Sequence, residues 1–188
     1  MVWATPRTWT TGELVTKTIM DTHVRDNLTW LGAAAHAIWA QPHSVTGTGA
    51  VLSTNVTGAT DYAAAECVDA QTNDIFFSVP IPTGFVSLTK AVLVIISKGT
   101  GNLRWLADSI FAADGESYIA NGGSIAAANI AVTANQIKEL TLQAGTLLTG
   151  LAAGDRLGLD FSRQGAHVDD TVTASVFVLG LLLEYSIV

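Results

Sequence analysis

The sequence predicts a mainly β protein, in which an antiparallel, jelly-roll-like β-sandwich follows an N-terminal helical arm. Two observations support this prediction. One segment near the N-terminus carries apolar residues at helical spacing, and the chain after Pro42 is a series of short apolar stretches separated by Gly-, Asn- and Asp-rich turns. We therefore expect an arm at residues 1–42, a linker or edge strand at 43–59, and the β domain at 60–188.

The helical arm is predicted from apolar residues that recur every three or four positions between residues 16 and 40. They are Met20, Val24, Leu28, Leu31, Ala35 and Ile38. This spacing places them on one face of a helix. We expect the helix to begin near Thr16 or Thr18 and to end before Pro42, which disfavours helical geometry in the preceding residue. The apolar face is compatible with packing on the protein's own β domain and with a short coiled coil.

The β domain is predicted from eight strand-like stretches with regular turn signals between them. They are Tyr62–Val68, Ile75–Val79, Leu88–Ser97, Leu103–Phe111, Ile125–Val132, Lys138–Leu142, Arg156–Ser162 and Val172–Tyr185. Eight short strands at this spacing indicate a sandwich or a jelly roll. In the seventh stretch the residues alternate, so that Leu157, Leu159 and Phe161 face one side while Arg156 and Asp160 face the other.

Two of these stretches, residues 91–96 and 176–183, are apolar on both faces. A strand buried on both sides lies between the domain core and a second layer. We expect that layer to be a neighbouring subunit; the alternative is a thick core within one domain. The predicted subunit-interface residues are Val92, Val94, Ile96, Phe177, Leu179 and Leu181.

The composition narrows the classes of function. Only 13% of the residues are charged and the mean hydropathy is +0.39, whereas about 25% charged residues is usual. This favours an oligomer that hides apolar surface, although an Ala-, Gly- and Thr-rich β protein would have a similar composition.

No apolar stretch is long enough to span a membrane. A net charge of −7 with nine scattered basic residues argues against nucleic-acid binding. The chain has a single cysteine, Cys67, and therefore no intramolecular disulfide. Its first residues contain no apolar core of the kind that signal peptides have.

Known catalytic and metal-binding patterns do not occur in the sequence. It has no nucleophile elbow, no His pair at zinc-binding spacing and no calcium-loop order of acidic residues. Asp108, Glu116 and Asp160 are strand-end acids of the type that glycoside hydrolases use, but nothing marks them as a site. We therefore expect no enzymatic activity, no cofactor and no metal. A carbohydrate-binding module remains an alternative, with a groove lined by Trp105 or Tyr118.

The N-terminal residues also resemble a known kind of protein. Thr8-Trp9, Gly12-Glu13, Val15-Thr16, Met20 and the run Thr22-His-Val-Arg-Asp-Asn-Leu28 are similar to a segment of bacteriophage virion proteins that precedes tail-fibre, head-fibre or other appendage domains. The β region, through residues 73–77, 82–85, 115–118, 151–155 and 179–185, resembles jelly-roll-like phage structural domains, which in virion appendages are commonly trimeric.

These resemblances imply a non-enzymatic virion structural protein, made in the host cytoplasm and built into the virion. The implied form is a homotrimeric capsid decoration protein or head fibre that binds the major capsid protein or another virion protein. A tail fibre or tail-tip component is the alternative within this class, and a module that binds host surface glycans is the alternative outside it. The implied docking and oligomerisation residues are Trp9, Met20, Val24, Arg25, Asp26, Leu28 and Leu31. Arg25 suits a carboxylate partner, unless it and Asp26 only satisfy groups within the arm.

Overall fold

The computed structural model describes residues 8, 14, 16–25, 36–53, 63–143 and 145–187, and within these residues most of the chain is β-strand. The strands are β1 His36–Ala40, β2 Ser44–Thr46, β3 Val51–Ser53, β4 Ala64–Cys67, β5 Thr72–Pro80, β6 Phe85–Ser97, β7 Gly101–Ala112, β8 Asn121–Val132, β9 Ile137–Thr141, β10 Arg156–Gln164 and β11 Val176–Ile187. The helical residues in the described part are α1, Lys17–Met20, and a π-helical turn, Asp21–Arg25.

The strands form two antiparallel sheets. Sheet A has the order β3-β4-β11-β6-β9, with β1 also paired to β11, and sheet B has the order β2-β5-β10-β7-β8. Strand β4 pairs with β11, β5 with β10, β6 with β9 and β7 with β8, which gives four nested antiparallel pairs. Successive pairs alternate between sheet A and sheet B. The eight strands from β4 to β11 therefore form a jelly roll of two sheets.

The main core lies between the two sheets and is built by strand alternation. On β10 the inward residues are Leu157, Leu159 and Phe161, as predicted, and the residues between them face outward. Strand β5 alternates in the same way from Asn73 to Val79. Alternation therefore places a mixture of polar and apolar side chains of β5, β7 and β10 on the outer face of sheet B.

The predicted long helix is wrong over its last part. Strand β1 occupies His36–Ala40 and pairs with β11, with Ile38 packed against the main core. Tertiary contacts decide the outcome, because the apolar residues fit a period of two as well as one of 3.6. Strand β11 supplies the backbone hydrogen bonds that hold this segment as a strand. The α-helix spans one turn, and Thr16 caps it by accepting a hydrogen bond from the Ile19 N–H at 3.3 Å.

Several predicted arm residues cannot be placed. Trp9, Asp26, Leu28, Leu31 and the side chain of Arg25 lie outside the described residues. Two predicted arm residues do belong to the described part: Met20 and Val24 are 45% and 37% exposed. The segment at 43–59, predicted as a linker or edge strand, contributes β2 to the edge of sheet B and β3 to the edge of sheet A.

Sheet A carries a second apolar cluster on the face turned away from the main core. It consists of Ala64, Val92, Val94, Ile96, Phe177 and Leu179, with Leu182 packed against it. The six cluster residues are 9% exposed or less within a single chain. Their burial therefore does not require a neighbouring subunit, although the doubly apolar character of β6 and β11 is as predicted.

Leu181 was predicted to lie on this outer face, and that prediction is wrong. The pairing of β11 with β6 skips Leu179, which forms a β-bulge. Leu181 therefore pairs with Leu93 and is fully buried in the main core, while Leu182 takes its place on the outer face. One extra residue in a strand moves every following side chain to the opposite face. The next residue, Gly180, has to lack a side chain because a Cβ there would collide with the Trp39 indole of β1.

A buried arginine fixes the loop between β10 and β11. Arg163 is fully buried on the core side of β10, and its guanidinium pairs with Asp170 at 3.0 and 3.2 Å. It also donates to the carbonyl oxygens of Val172, Ala174 and Cys67. This network satisfies the charge and the loop's carbonyl groups together, so we regard it as a structural element.

Candidate functional site

The outer face of sheet B contains cross-strand rows of side chains that differ strongly in character. In one row, Asp160 of β10 lies between Phe76 of β5 and Asp108 of β7. In the next row, Gly158 lies between Ser78 and Ile110. A large side chain is missing at the centre of this second row, so the face has a depression there.

Two adjoining cavities form this depression, and we call them together the groove. The smaller cavity is about 250 Å³ and is lined by Phe76, Phe77, Asp108, Ser109, Ile110, Gly158, Leu159 and Asp160. The larger is about 590 Å³ and is lined by Ile110, Ala112, Ala113, Asp114, Gly115, Glu116, Tyr118, Gly154, Arg156 and Gly158. Ile110 and Gly158 line both cavities. Because the rise is about 3.3 Å per residue, the stretch from Asp160 to Arg156 along β10 gives the groove a length of about 13 Å.

Gly158 forms the shared floor of the groove. Its φ is not in the left-handed region, so the backbone does not require glycine. A Cβ at this position would meet Ile110 Cγ1 at 3.4 Å, which is the near limit of ordinary van der Waals contact. A Cβ would therefore be tolerated by the strand and would take up space in the groove. The glycine keeps the groove open.

The inner end of the groove is acidic. Burial and, to a smaller extent, the nearby carboxylates of Asp74 and Asp108 together raise the pKa of Asp160 from its ordinary value of 3.8 to about 6. Oδ1 of Asp160 is buried and has no hydrogen-bond partner. Like charges that face each other across strands are unfavourable, so this row is not arranged for stability.

The outer end of the groove is the turn between β7 and β8. Glu116 closes this turn: its Oε2 accepts a hydrogen bond from the Ala113 N–H at 3.0 Å, and its own N–H donates to the Ala113 carbonyl oxygen at 3.2 Å. Gly115 has φ +84°, which the turn needs. Tyr118 is 74% exposed, and both Tyr118 and Arg156 line the larger cavity. The rim thus offers an aromatic ring, a guanidinium and carboxylates.

The structure brings together the three acids that the sequence suggested separately. Asp108, Glu116 and Asp160 all line the groove, and so does Tyr118. Trp105, the other predicted sugar-binding aromatic residue, does not. It is only 5% exposed and packs on Phe161 in the main core, with ring centroids 6.0 Å apart. The prediction for Trp105 is therefore wrong.

Sequence reasoning did not find Asp74, Phe76, Ile110, Arg156 or Gly158 as site residues. A signal existed for part of this set, because the alternation of β10 already placed Arg156 on the same polar face as Asp160. Strand β7 contained a similar signal: Leu103, Trp105 and Ala107 share a face, and this pattern would have predicted that Trp105 points into the core.

In the described ranges, no group of three or more His, Cys, Asp or Glu residues is arranged to hold a metal ion. No helix among the residues that the structure describes is long and apolar enough to cross a membrane.

Comparisons with known proteins give only a coarse result. No protein-family model matches the sequence, and no curated protein matches it either. Among solved structures, the chain is similar to TmCBM61 in complex with β-1,4-galactotriose, with a TM-score of 0.39 and 11% identity over 76% of this chain and 87% of that chain. It is similar to the family 11 carbohydrate-binding module of Lic26A-Cel5E of Clostridium thermocellum, with a TM-score of 0.39 and 11% identity over 80% and 85%.

A third similar structure is the enzymatically active domain of tailspike protein 4 of bacteriophage CBA120. The TM-score is 0.35 and the identity 10%, over 82% of this chain and 19% of that chain. At TM-scores below 0.5 these likenesses do not bear on function, so the functional argument rests on the groove itself.

Proposed function

We propose that the protein is a non-enzymatic glycan-binding module that holds a short oligosaccharide in the groove on the outer face of sheet B. The observation that supports this proposal is the open floor at Gly158 between an acidic inner end and a rim with an exposed tyrosine. Ligand sites are typically concave and combine apolar surface with a few polar groups. Carboxylates and a guanidinium accept and donate the hydrogen bonds that sugar hydroxyls offer. Tyr118 supplies a flat apolar surface for a sugar ring.

Gly158→Val tests the proposal because it fills the groove without changing the charge. Valine is favoured in strands, so we expect a folded protein of similar stability. Ser78→Val is the matched control: Ser78 lies in the same row on the neighbouring strand, is exposed, and lines neither cavity. On a glycan array, the wild type and Ser78→Val should bind the same glycans, and Gly158→Val should bind them at least about tenfold more weakly. Absence of any bound glycan, or equal binding by all three proteins, would contradict the proposal.

An enzymatic function is the rival explanation of the same groove. A carboxyl group with a raised pKa beside an ionised carboxylate is also what glycoside hydrolases use. We therefore include a measurement of reducing ends released from the bound glycans. No release is expected. Release that Asp160→Asn abolishes would replace the binding proposal with hydrolysis.

We also propose that the protein is a virion component attached through its N-terminal segment. The resemblance of residues 8–28 to the N-terminal segment of phage virion proteins supports this. Strand β1 joins the sandwich at sheet A, on the side opposite to the groove. Attachment through the preceding segment would therefore leave the groove free for a host surface glycan. Homotrimeric capsid decoration, a head fibre and a tail appendage are the forms this role would take.

Deleting residues 1–34 tests the virion role and retains β1, which a deletion of the whole predicted arm would remove. We expect the shortened chain to fold, and to be missing from particles assembled in its presence. Light scattering of the full chain should give the mass of a trimer. Incorporation of the shortened chain at normal occupancy would contradict a docking role for the segment.

A further inference from the structure

The groove is strongly unbalanced in charge along its whole length. Asp108 and Asp160 line the smaller cavity, and Asp114 and Glu116 line the larger one. Arg156 is the one basic residue among the residues that line the two cavities. A ligand therefore meets four carboxylates and one guanidinium.

The charged side chains at the inner end of the groove are hydrogen-bond acceptors. Oδ1 of Asp160 is buried without a partner. The charged groups that face it from the neighbouring strands are Asp74 of β5 and Asp108 of β7, and both are carboxylates. Asp108 is exposed in the same row, so a ligand group that donates to its carboxylate makes a charge-assisted hydrogen bond, which is stronger than one between neutral groups. Hydroxyl and ammonium groups can donate, whereas an ionised carboxylate or sulfate cannot.

We infer that the groove selects neutral and amino-substituted glycans and excludes acidic ones, and that Asp160 and Asp108 are its specificity-determining residues. This inference rests on the proposed function, because it names the class of ligand for the same groove. The preference depends on the charge of the groove. A groove rich in arginine would prefer acidic glycans, and an uncharged groove would show no preference.

The expected discrimination follows from Coulomb's law. Two carboxylates about 5 Å from a ligand carboxylate, at the dielectric constant of water, weaken binding by about tenfold. The effect grows where the pair is partly shielded from water and shrinks as salt is added. We therefore expect at least a tenfold difference between a neutral glycan and its acidic counterpart, and a smaller difference at high salt.

The test uses sets of oligosaccharides that share their linkage and differ in one substituent on each ring, which is a hydroxyl, an amino or a carboxyl group. One set is the β-1,4-linked tetramers of glucose, glucosamine and glucuronic acid, and a second is the α-1,4-linked tetramers of galactose, galactosamine and galacturonic acid. Affinities are measured by calorimetry at pH 7.5 for the wild type, the double variant Asp108→Asn/Asp160→Asn, and Gly158→Val. At this pH the carboxyl group of Asp160 is largely ionised, so the groove carries its full charge.

We expect the neutral and amino members to bind and the acidic members to bind at least about tenfold more weakly. In the double variant this difference should fall to about threefold or less, and the amino members should lose affinity. Tightest binding of an acidic member, abolished by Gly158→Val, would overturn the inference and leave the proposed groove intact. If no member of either set binds and the glycan array is also blank, the proposed function fails and the inference fails with it.

Discussion

Replacing Asp160 by asparagine is expected to stabilise the protein at neutral pH and to leave its stability unchanged at pH 4. Asp160 faces Asp108 directly across the strand pair, and Asp74 lies nearby. The folded chain holds the Asp160 proton up to about pH 6, whereas the unfolded chain releases it near pH 3.8. The folded state therefore loses stability as the pH rises between these two values and keeps the loss above them.

The magnitude follows from the same difference. A shift from 3.8 to about 6 is roughly two pKa units, which corresponds to about 3 kcal/mol for a fully shielded group. Asp160 is half-buried, so solvent screening reduces this to about 1–1.5 kcal/mol. Asparagine has the same shape and no charge, so Asp160→Asn should recover that amount at pH 7–8.

Thermal unfolding followed by circular dichroism between pH 4 and pH 8 measures the effect. For a chain of this size, about 1 kcal/mol corresponds to a Tm shift of roughly 2–4 °C. Asp108→Asn should give part of the same gain, because it removes one of the repelling carboxylates. Asp114→Asn, in an exposed turn of the groove rim, is the control and should change little. An Asp160→Asn variant that is less stable than the wild type at pH 8, or equally shifted at pH 4 and pH 8, would refute the reasoning.

Three further predictions concern the buried parts of the sandwich. Arg163→Met should cost about 3–5 kcal/mol, because it leaves the Asp170 carboxylate buried without its partner, and Asp170→Asn in the same chain should return part of that loss. Phe177→Ala should cost about 3–5 kcal/mol in the isolated chain, because the side chain is fully buried in the second cluster. Burial raises the pKa of the Cys67 thiol to about 12, so at pH 8 iodoacetamide should not label it in the folded protein.

Chemical denaturation measures the two stability changes, and mass spectrometry measures the labelling. A loss of less than about 1 kcal/mol for Arg163→Met would mean that the buried network is dispensable. If Phe177→Ala were neutral in a monomer, the outer cluster of sheet A would not stabilise the isolated chain. Rapid labelling of Cys67 under native conditions would show that β4 opens readily.

Most strands were predictable because they carry local signals. All eight predicted strands occur, with turn residues between them and, on β5 and β10, regular alternation. Strand β1 was not predictable in this way, since Ile38 and Ala35 fit helical spacing and only pairing with β11 decides the outcome. The three-residue strands β2 and β3 are too short to show any period. The bulge at Leu179 lies in a run of apolar residues, so no change in the sequence pattern indicates it. For this reason Leu181 was assigned to the wrong face.

The groove was predictable only in fragments. Alternation along β10 placed Asp160 and Arg156 on one face, but their proximity to Asp108 depends on the pairing of β10 with β7, whose residues are about fifty positions apart in sequence. Such non-local pairing has no local signature. Gly158 can be identified as the floor of the groove only when its neighbours on β5 and β7 are known. The acidic residues were visible in the sequence, whereas the space between them was not.

The most direct test of glycan binding in the groove is to map where a glycan contacts the protein. Backbone amide chemical shifts of the wild type would be followed during titration with the tightest-binding glycan from the array. The largest changes are expected in both cavities of the groove, at Ile110, Gly115, Tyr118 and Gly158, and they should disappear in Gly158→Val. Changes confined to sheet A, or saturable binding with no change at these residues, would contradict binding in the groove.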